Sequence, residues 1–340
     1  MPRLKLLAGL KINISDRPQD GRFTINLTKD RVDVRVSTLP TAYGESIVMR
    51  LLRWSAGGVD FERLGLVGRA REQLIAEMNK PNGMIISTGP TGSGKTTTLY
   101  AIINKLNNTE NKIITIEDPI EYRLTGVNQS QVDTGHGYTF ANGLRSILRQ
   151  DPDVVMVGEI RDTETADIAV QAALTGHLVL STLHTNDAAG AIPRFLSLGA
   201  KSELLPSALN ALIGQRLVRR FCESCKKITT PDAAQMKIIE AELSRLPSDE
   251  RTRVPEKKQF FTSVGCDECQ GLGYKGQVAI FEILLMSKAI KLAIAEEGIS
   301  DTRIAEIAKK DGMVSMMQDG ILKALEGITS LEEVLRVTKE

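Results

Sequence analysis

Apolar positions recur along this 340-residue chain in two rhythms. Near the start they alternate with polar ones. Phe23, Ile25 and Leu27 are followed by Thr28-Lys29-Asp30 and then by Val32, Val34 and Val36. A period of two turns one side of each segment toward a core, so this stretch predicts a hairpin with one buried face. Residues 45–53 supply a third strand and residues 4–10 a short helix. From Phe61 short apolar runs alternate with helical spacings. A helix is expected over residues 68–79, broken by Pro81-Asn82-Gly83. Met84-Ile85-Ile86-Ser87 then reads as a buried strand, and Leu99, Ile102, Ile103 and Leu106 fall on one helical face. Residues 113–116, 154–157 and 178–183 are three further buried runs. Between them lie helices at 141–150 and from Asp162, a capping residue, to Gly176. Strands alternating with helices define an α/β protein built on a mostly parallel sheet. Residues 278–286 form another strand-like run. Short helices follow at 290–297, 301–310, 313–324 and 330–337, with Met313, Met316 and Met317 as core filling.

Composition narrows the function classes. The 43 basic and 42 acidic residues leave a net charge of +1, so no global field favours nucleic acid or an anionic membrane. Aromatic residues make up 4% of the chain, which argues against a base-stacking surface. No apolar run is long enough to span a bilayer. The first residues carry Lys5 inside their apolar stretch and do not read as a signal peptide, so a cytosolic chain is expected. Ser55-Ala56-Gly57-Gly58 is the best linker candidate. The implied division is a partial α+β domain at 1–54, a linker at 55–61, a core at 62–220, a tetracysteine insertion at 221–275 and a C-terminal helical part at 276–340.

Candidate chemistry concentrates after the buried runs. Gly89, Pro90, Thr91, Gly92, Ser93, Gly94, Lys95 and Thr96 fit the phosphate-binding pattern G-x-x-x-x-G-K-[ST], with a strand before and a helix after. The glycines let backbone N–H groups turn inward around phosphate oxygens, and the helix N-terminus adds partial positive charge. Lys95 would reach the β/γ-phosphates and the Thr96 hydroxyl would ligate Mg²⁺. Glu117, Glu159 and His184 each stand just past another strand-like run. Ligands of open parallel sheets lie outside the carboxyl ends of the strands, so all three converge with the loop on one edge. His177 falls at the opposite end of its strand and reads as structural. His136, in Gly-His-Gly, reads as loop surface or a hinge. Arg22, Arg35 and Arg50, taken alone, are solvated strand residues.

Cys222-x-x-Cys225 and Cys266-x-x-Cys269 form two metal-binding knuckles. Four thiolates complete a closed tetrahedral site suited to structural Zn²⁺ and leave no open position for catalysis. An iron–sulfur cluster and four free buried thiols are the alternatives. The forty residues between the pairs read as an insertion tied at its ends by the metal.

Gly89 to Tyr100, Ile-Glu-Asp-Pro-Ile-Glu-Tyr (116–122), Leu-Arg-Gln-Asp-Pro-Asp (148–153), Gly-Glu-Ile-Arg-Asp (158–162) and Thr-Gly-His-Leu-Val-Leu-Ser-Thr-Leu-His-Thr-Asn (175–186) together resemble the secretion-superfamily ATPases that power type II secretion and type IV pilus assembly. The tetracysteine segment is similar to that of the assembly and secretion members rather than the retraction motors. The resemblance implies a RecA-like P-loop core, a small N-terminal α+β (PAS-like) fragment and a zinc insertion. It extends the nucleotide-binding set to Thr97 and gives Arg22, Arg35 and Arg50 a role at the phosphates. It also implies that the chain begins partway through the arginine-bearing domain, after the family's usual docking domain.

The expected activity is hydrolysis of ATP to ADP and phosphate, converted to motion in a homohexameric ring. Glu159 is the favoured base or Mg²⁺-water ligand, Glu117 its partner, and His184 the sensor of the γ-phosphate. Expected partners are an inner-membrane platform protein, met by the zinc module, and cytoplasmic docking proteins. That places the chain in the cytoplasm, peripheral to the inner membrane. A DNA-uptake or conjugation ATPase of the same superfamily and a non-hydrolysing nucleotide-dependent scaffold are the rivals.

Overall fold

The computed structural model describes residues 1–27, 31–53, 60–296 and 298–339. The turn expected at Thr28-Lys29-Asp30 and the linker expected at Ser55-Ala56-Gly57-Gly58 lie outside the described residues. The chain divides into two compact units, Met1–Gly58 with Ile120–Leu124, and Val59–Pro119 with Thr125–Glu340.

In the first unit, β1 (Gln19–Asn26), β2 (Arg31–Thr41) and β3 (Gly44–Arg53) form an antiparallel sheet in that order. Val32, Val34 and Val36 are buried with Ala8, and Leu10, Phe23 and Ile47 pack against them. This is the alternation that the sequence predicts. The helix Pro2–Leu7 carries a buried Lys5, whose ammonium donates to Ile14 O (2.6 Å) and pairs with Glu45. Arg22 stands directly opposite Arg35, and Arg35 opposite Arg50. Directly paired residues share a face, so the three guanidinium groups form one row on the side away from the valines. Arg35 also donates to Ile120 O (2.9 Å) and lies 3.5 Å from Glu121.

The second unit is built on β4 (Gly83–Thr88), β5 (Ile113–Glu117), β6 (Asn128–Gln131), β7 (Val154–Val157), β8 (Leu178–Leu183), β9 (Leu209–Phe221) and β12 (Tyr274–Leu285). They form one sheet in the order β12-β9-β4-β8-β7-β5-β6. Every pair is parallel except β12 with β9. The central strands are mostly apolar and buried along their whole length, as strands covered on both faces must be. Apolar faces of the helices Phe140–Leu148 and Thr163–Leu174 meet them in one core with Ile86, Ile116, Val157 and Val179. Asp162 caps the second of these helices by accepting from Thr165 N–H (2.8 Å). No helix among the described residues is long and apolar enough to cross a membrane.

The segment between the cysteine pairs, read from sequence as an insertion, has secondary structure of its own. It holds β10 (Lys226–Thr229) paired antiparallel with β11 (Phe260–Ser263), and a helix Ala233–Ser244 closed by an Asp232/Gln235 capping box. Ile239, Leu243, Leu246 and Phe260 are buried in one cluster with Ile321, Leu322, Leu325, Leu331 and Leu335 of the C-terminal helices Met316–Leu325 and Leu331–Thr338. Charges seal the same junction. Glu250 accepts from Arg69 N–H (2.6 Å), and Arg253 pairs with Glu250 (2.9 Å) and Glu326 (2.9 Å). Glu333 is buried between Arg219 and Arg336; burial opposes its ionisation, yet these two guanidinium groups hold its carboxyl down at about 2.

Because Ile239 lies in a core shared by insertion and C-terminal helices, Ile239→Ala is expected to cost about 2–4 kcal/mol in denaturant unfolding. A change below about 0.5 kcal/mol, the usual effect of a surface substitution, would show that the insertion is peripheral to the fold.

Candidate nucleotide-binding site and metal centre

At the end of β4 the backbone turns through Gly89 to Gly94 and enters the helix Lys95–Leu106. Gly92 (φ +82°) and Gly94 (φ +89°) adopt left-handed conformations that side chains resist. No side chain caps the helix N-terminus, so its first amides remain available to an anion in front of the loop. Lys95 is buried, and its ammonium donates to the carbonyls of Gly89 (2.8 Å) and Pro90 (3.1 Å). Burial pushes its pKa below the ordinary value while Glu159 works to restore it. The Ser93 hydroxyl is buried in the loop without a hydrogen-bond partner. Thr96 and Thr97 stand half-buried on the first helical turn. An uncapped helix N-terminus, a buried lysine and a glycine cradle form the donor set that a nucleotide phosphate requires.

The strands beside β4 bring the other groups. His184 follows β8 and Glu159 follows β7 by one residue. Their side chains approach to 3.6 Å, and Glu159 also pairs with Arg161. Burial, then the charge of Lys95, lowers the pKa of His184 below its usual value, so the imidazole is neutral at pH 7. Thr185 N–H donates to the Thr88 hydroxyl (3.1 Å), which fastens the His184 loop to the last residue of β4. Glu159 thus sits with Lys95 and His184, and the Thr96 hydroxyl is the group that would hold Mg²⁺.

Glu117 ends β5 in a separate buried network. Its carboxylate accepts from the Tyr100 hydroxyl, from Thr115 Oγ1 (2.6 Å) and from Gln129 Nε2 (3.1 Å). His177 precedes β8, and its Nδ1 lies 3.1 Å from Ala172 O, the structural place expected for it. His136 is exposed beside Asp133 (2.8 Å). Arg22, Arg35 and Arg50 belong to the first unit and form the row described above.

Several site-forming residues were not singled out by the sequence. Thr88 and Thr185 are ordinary hydroxyls, and Tyr100 reads as helix core. Gln215 and Glu282 lie in strands whose chemistry shows only in three dimensions. Glu282 is buried, accepting from Ala188 N–H (2.8 Å) and Met316 N–H (3.3 Å), and burial pushes its carboxyl pKa up.

The four cysteines converge. Sγ atoms of Cys222 and Cys266 are 3.8 Å apart, those of Cys225 and Cys269 3.8 Å, and those of Cys266 and Cys269 3.7 Å. A tetrahedron with Zn–S bonds of about 2.3 Å has edges of about 3.8 Å, so the set fits Zn²⁺. Backbone N–H groups of Cys266 (3.2 Å) and Gly273 (3.1 Å) donate to Cys269 Sγ. Although burial opposes it, they help hold that thiol at about 7 and so favour the ligating thiolate.

Fold and site define a P-loop nucleotide-binding protein with a tetracysteine module. The family described as Type II/IV secretion system protein matches residues 1–336, and the chain belongs to it. The chain is 47% identical over 338 residues to the type II secretion system protein E of Pseudomonas aeruginosa, covering 99% of this chain and 65% of that protein. It is 46% identical to the type IV pilus assembly ATPase PilB of the same organism, covering 99% of this chain and 58% of PilB. The chain therefore spans less than two thirds of these curated relatives. The crystal structure of the pilus retraction motor PilT with bound ADP superposes with a TM-score of 0.64 at 27% identity, covering 94% of this chain and 78% of PilT.

Metal analysis of the purified chain is expected to give about one zinc per chain, and Cys225→Ser should abolish stoichiometric binding. A fully folded chain that takes up no metal would rule out the structural site.

Proposed function

We propose that this chain hydrolyses ATP to ADP and phosphate and couples the reaction to type II secretion or type IV pilus assembly. The observation that carries this reading is the grouping of Glu159, His184 and the P-loop Lys95 at the carboxyl edge of one parallel sheet. Phosphoryl transfer needs charge neutralisation and a placed water more than covalent help. Loop amides and Lys95 take the β/γ-phosphates. Mg²⁺, when bound, would spread the negative charge of the phosphate oxygens. Glu159 accepts the proton of the attacking water, and the neutral His184 meets the γ-phosphate as a hydrogen-bonding group. Glu117, held by three donors, positions this edge from β5.

The remaining parts of the reading follow the family. Arg22, Arg35 and Arg50 act on the nucleotide's phosphates, the role that the family resemblance implies for them. The working form is a homohexameric ring at the cytoplasmic face of the inner membrane. The tetracysteine module meets the membrane platform protein; it exposes Ile228, Val264 and Leu272, apolar side chains of the kind that contacts use.

ATPase rate measured against protein concentration, with Lys95→Ala as the blank, should rise per chain with concentration if sites are completed by assembly. A turnover that Lys95→Ala retains would overturn the site. Glu159→Gln is expected to bind ATP with little change while its turnover falls by about 100-fold or more. Brisk turnover by Glu159→Gln would remove Glu159 as the base.

A further inference from the structure

The parallel register of β4 and β9 ends with Thr88 beside Gly214. Gln215, the next residue of β9, therefore stands alongside Gly89, where the phosphate loop begins. Its side chain is fully buried. Nε2 donates to the carbonyl of Ser93 (2.7 Å), and Oε1 accepts from the Ser87 hydroxyl (3.0 Å). A carbonyl can only accept, so the amide's orientation is fixed by Ser93. The fit is close. A Cβ at Gly89 would lie 2.5 Å from the backbone carbonyl oxygen of Gln215, and one at Gly94 3.2 Å from its side-chain Nε2.

The carbonyl of Ser93 and the N–H of Gly94 belong to one peptide group, and in a trans peptide they point to opposite sides. Holding Ser93 O against β9 therefore turns Gly94 N–H away from the sheet and into the loop. We propose that Gln215 is a positioning residue for the phosphate-binding loop. Its amide fixes the Ser93–Gly94 peptide in the binding orientation before nucleotide arrives. This deepens the nucleotide-site reading above and rests on it. The loop's donors are worth most when they need no reorganisation on binding. Ser87 supplies the second tether, so the amide spans the end of β4 and the far side of the loop.

The test is the affinity of the full chain for a fluorescent ADP analogue between pH 6 and pH 8.5, with thermal unfolding followed in parallel. Gln215→Met keeps length and bulk but has no donor. It should bind about tenfold more weakly than the unaltered chain at every pH, the equivalent of one lost buried hydrogen bond. Gln215→Glu separates positioning from filling. Burial raises its carboxyl pKa, so the protonated acid donates to Ser93 O at low pH and the carboxylate repels it at high pH. Relative to the unaltered chain at each pH, its binding should lie within about threefold at pH 6 and be more than about tenfold weaker at pH 8.5. If these variants do not fold, Ser87→Ala loosens the amide without touching the loop and should weaken binding about threefold. Binding by Gln215→Met or Ser87→Ala equal to that of the unaltered chain overturns the proposal. So does a Gln215→Glu ratio that does not vary with pH. Failure of the unaltered chain to bind the analogue is a different result and overturns the nucleotide-site reading itself.

Discussion

Parallel hydrogen bonding of β5, β7, β8 and β4 is the constraint on which the site depends. Ile116 lies beside Val157, Val157 beside Ser181, and Leu183 beside Thr88. This stagger fixes where each strand releases its chain. Glu117 ends the outermost of the four strands, Glu159 follows β7 after a single glycine, and His184 follows β8 at the level of the P-loop. Local hydroxyl contacts then trim the positions. Thr182 Oγ1 donates to Gly158 O (2.8 Å), and Thr88 receives the amide of Thr185. The geometry of the candidate site is thus set first by sheet register, and the hydroxyl contacts of the loops refine it.

The same economy governs the tetracysteine segment. A knuckle alone is too small to bury a core, so small metal modules fold on the free energy of ligation. Here the segment has a second source of stability, because Ile239, Leu243 and Phe260 enter the core of the C-terminal helices. At its base, Phe221 stacks on Tyr274 with ring centroids 5.5 Å apart, and Arg219 lies over the Tyr274 ring. Both aromatic residues are next to the knuckles in sequence, so metal geometry and helix packing constrain one another.

Much of this was legible in the sequence, for identifiable reasons. Buried parallel strands are short and largely apolar, so β4, β5, β7 and β8 stood out, and the P-loop and cysteine pairs carry their chemistry in fixed spacing. β6 escaped because Asn128-Gln129-Ser130-Gln131 is a polar edge strand, held by backbone pairing and by side-chain hydrogen bonds of Gln129 and Ser130 rather than by apolar burial. β9 escaped because it is buried at its start and exposes Arg219 and Arg220 near its end, which blurs any period. The helix Ala233–Ser244 lay in a segment read only as an insertion, and nearby Glu250 is buried in an ion pair with the half-buried Arg253. Pairing of Arg22 with Arg35 and of Arg35 with Arg50 follows from strand register, which alternation alone does not specify. Gln215 has no local signature, since its partners are 122 and 128 residues away.

Glu282 has a mechanical meaning of its own. One carboxylate receives N–H groups from Ala188, four residues past His184, and from Met316, the first residue of a C-terminal helix. Gly214 lies against it so closely that an added Cβ would approach Oε1 to 2.7 Å. That side of the carboxyl group is closely packed. A shift of the His184 loop large enough to move Ala188 must either break its hydrogen bond to this group or carry the start of that helix with it. The joint links the loop that follows His184 to a helix whose far side packs on the tetracysteine segment.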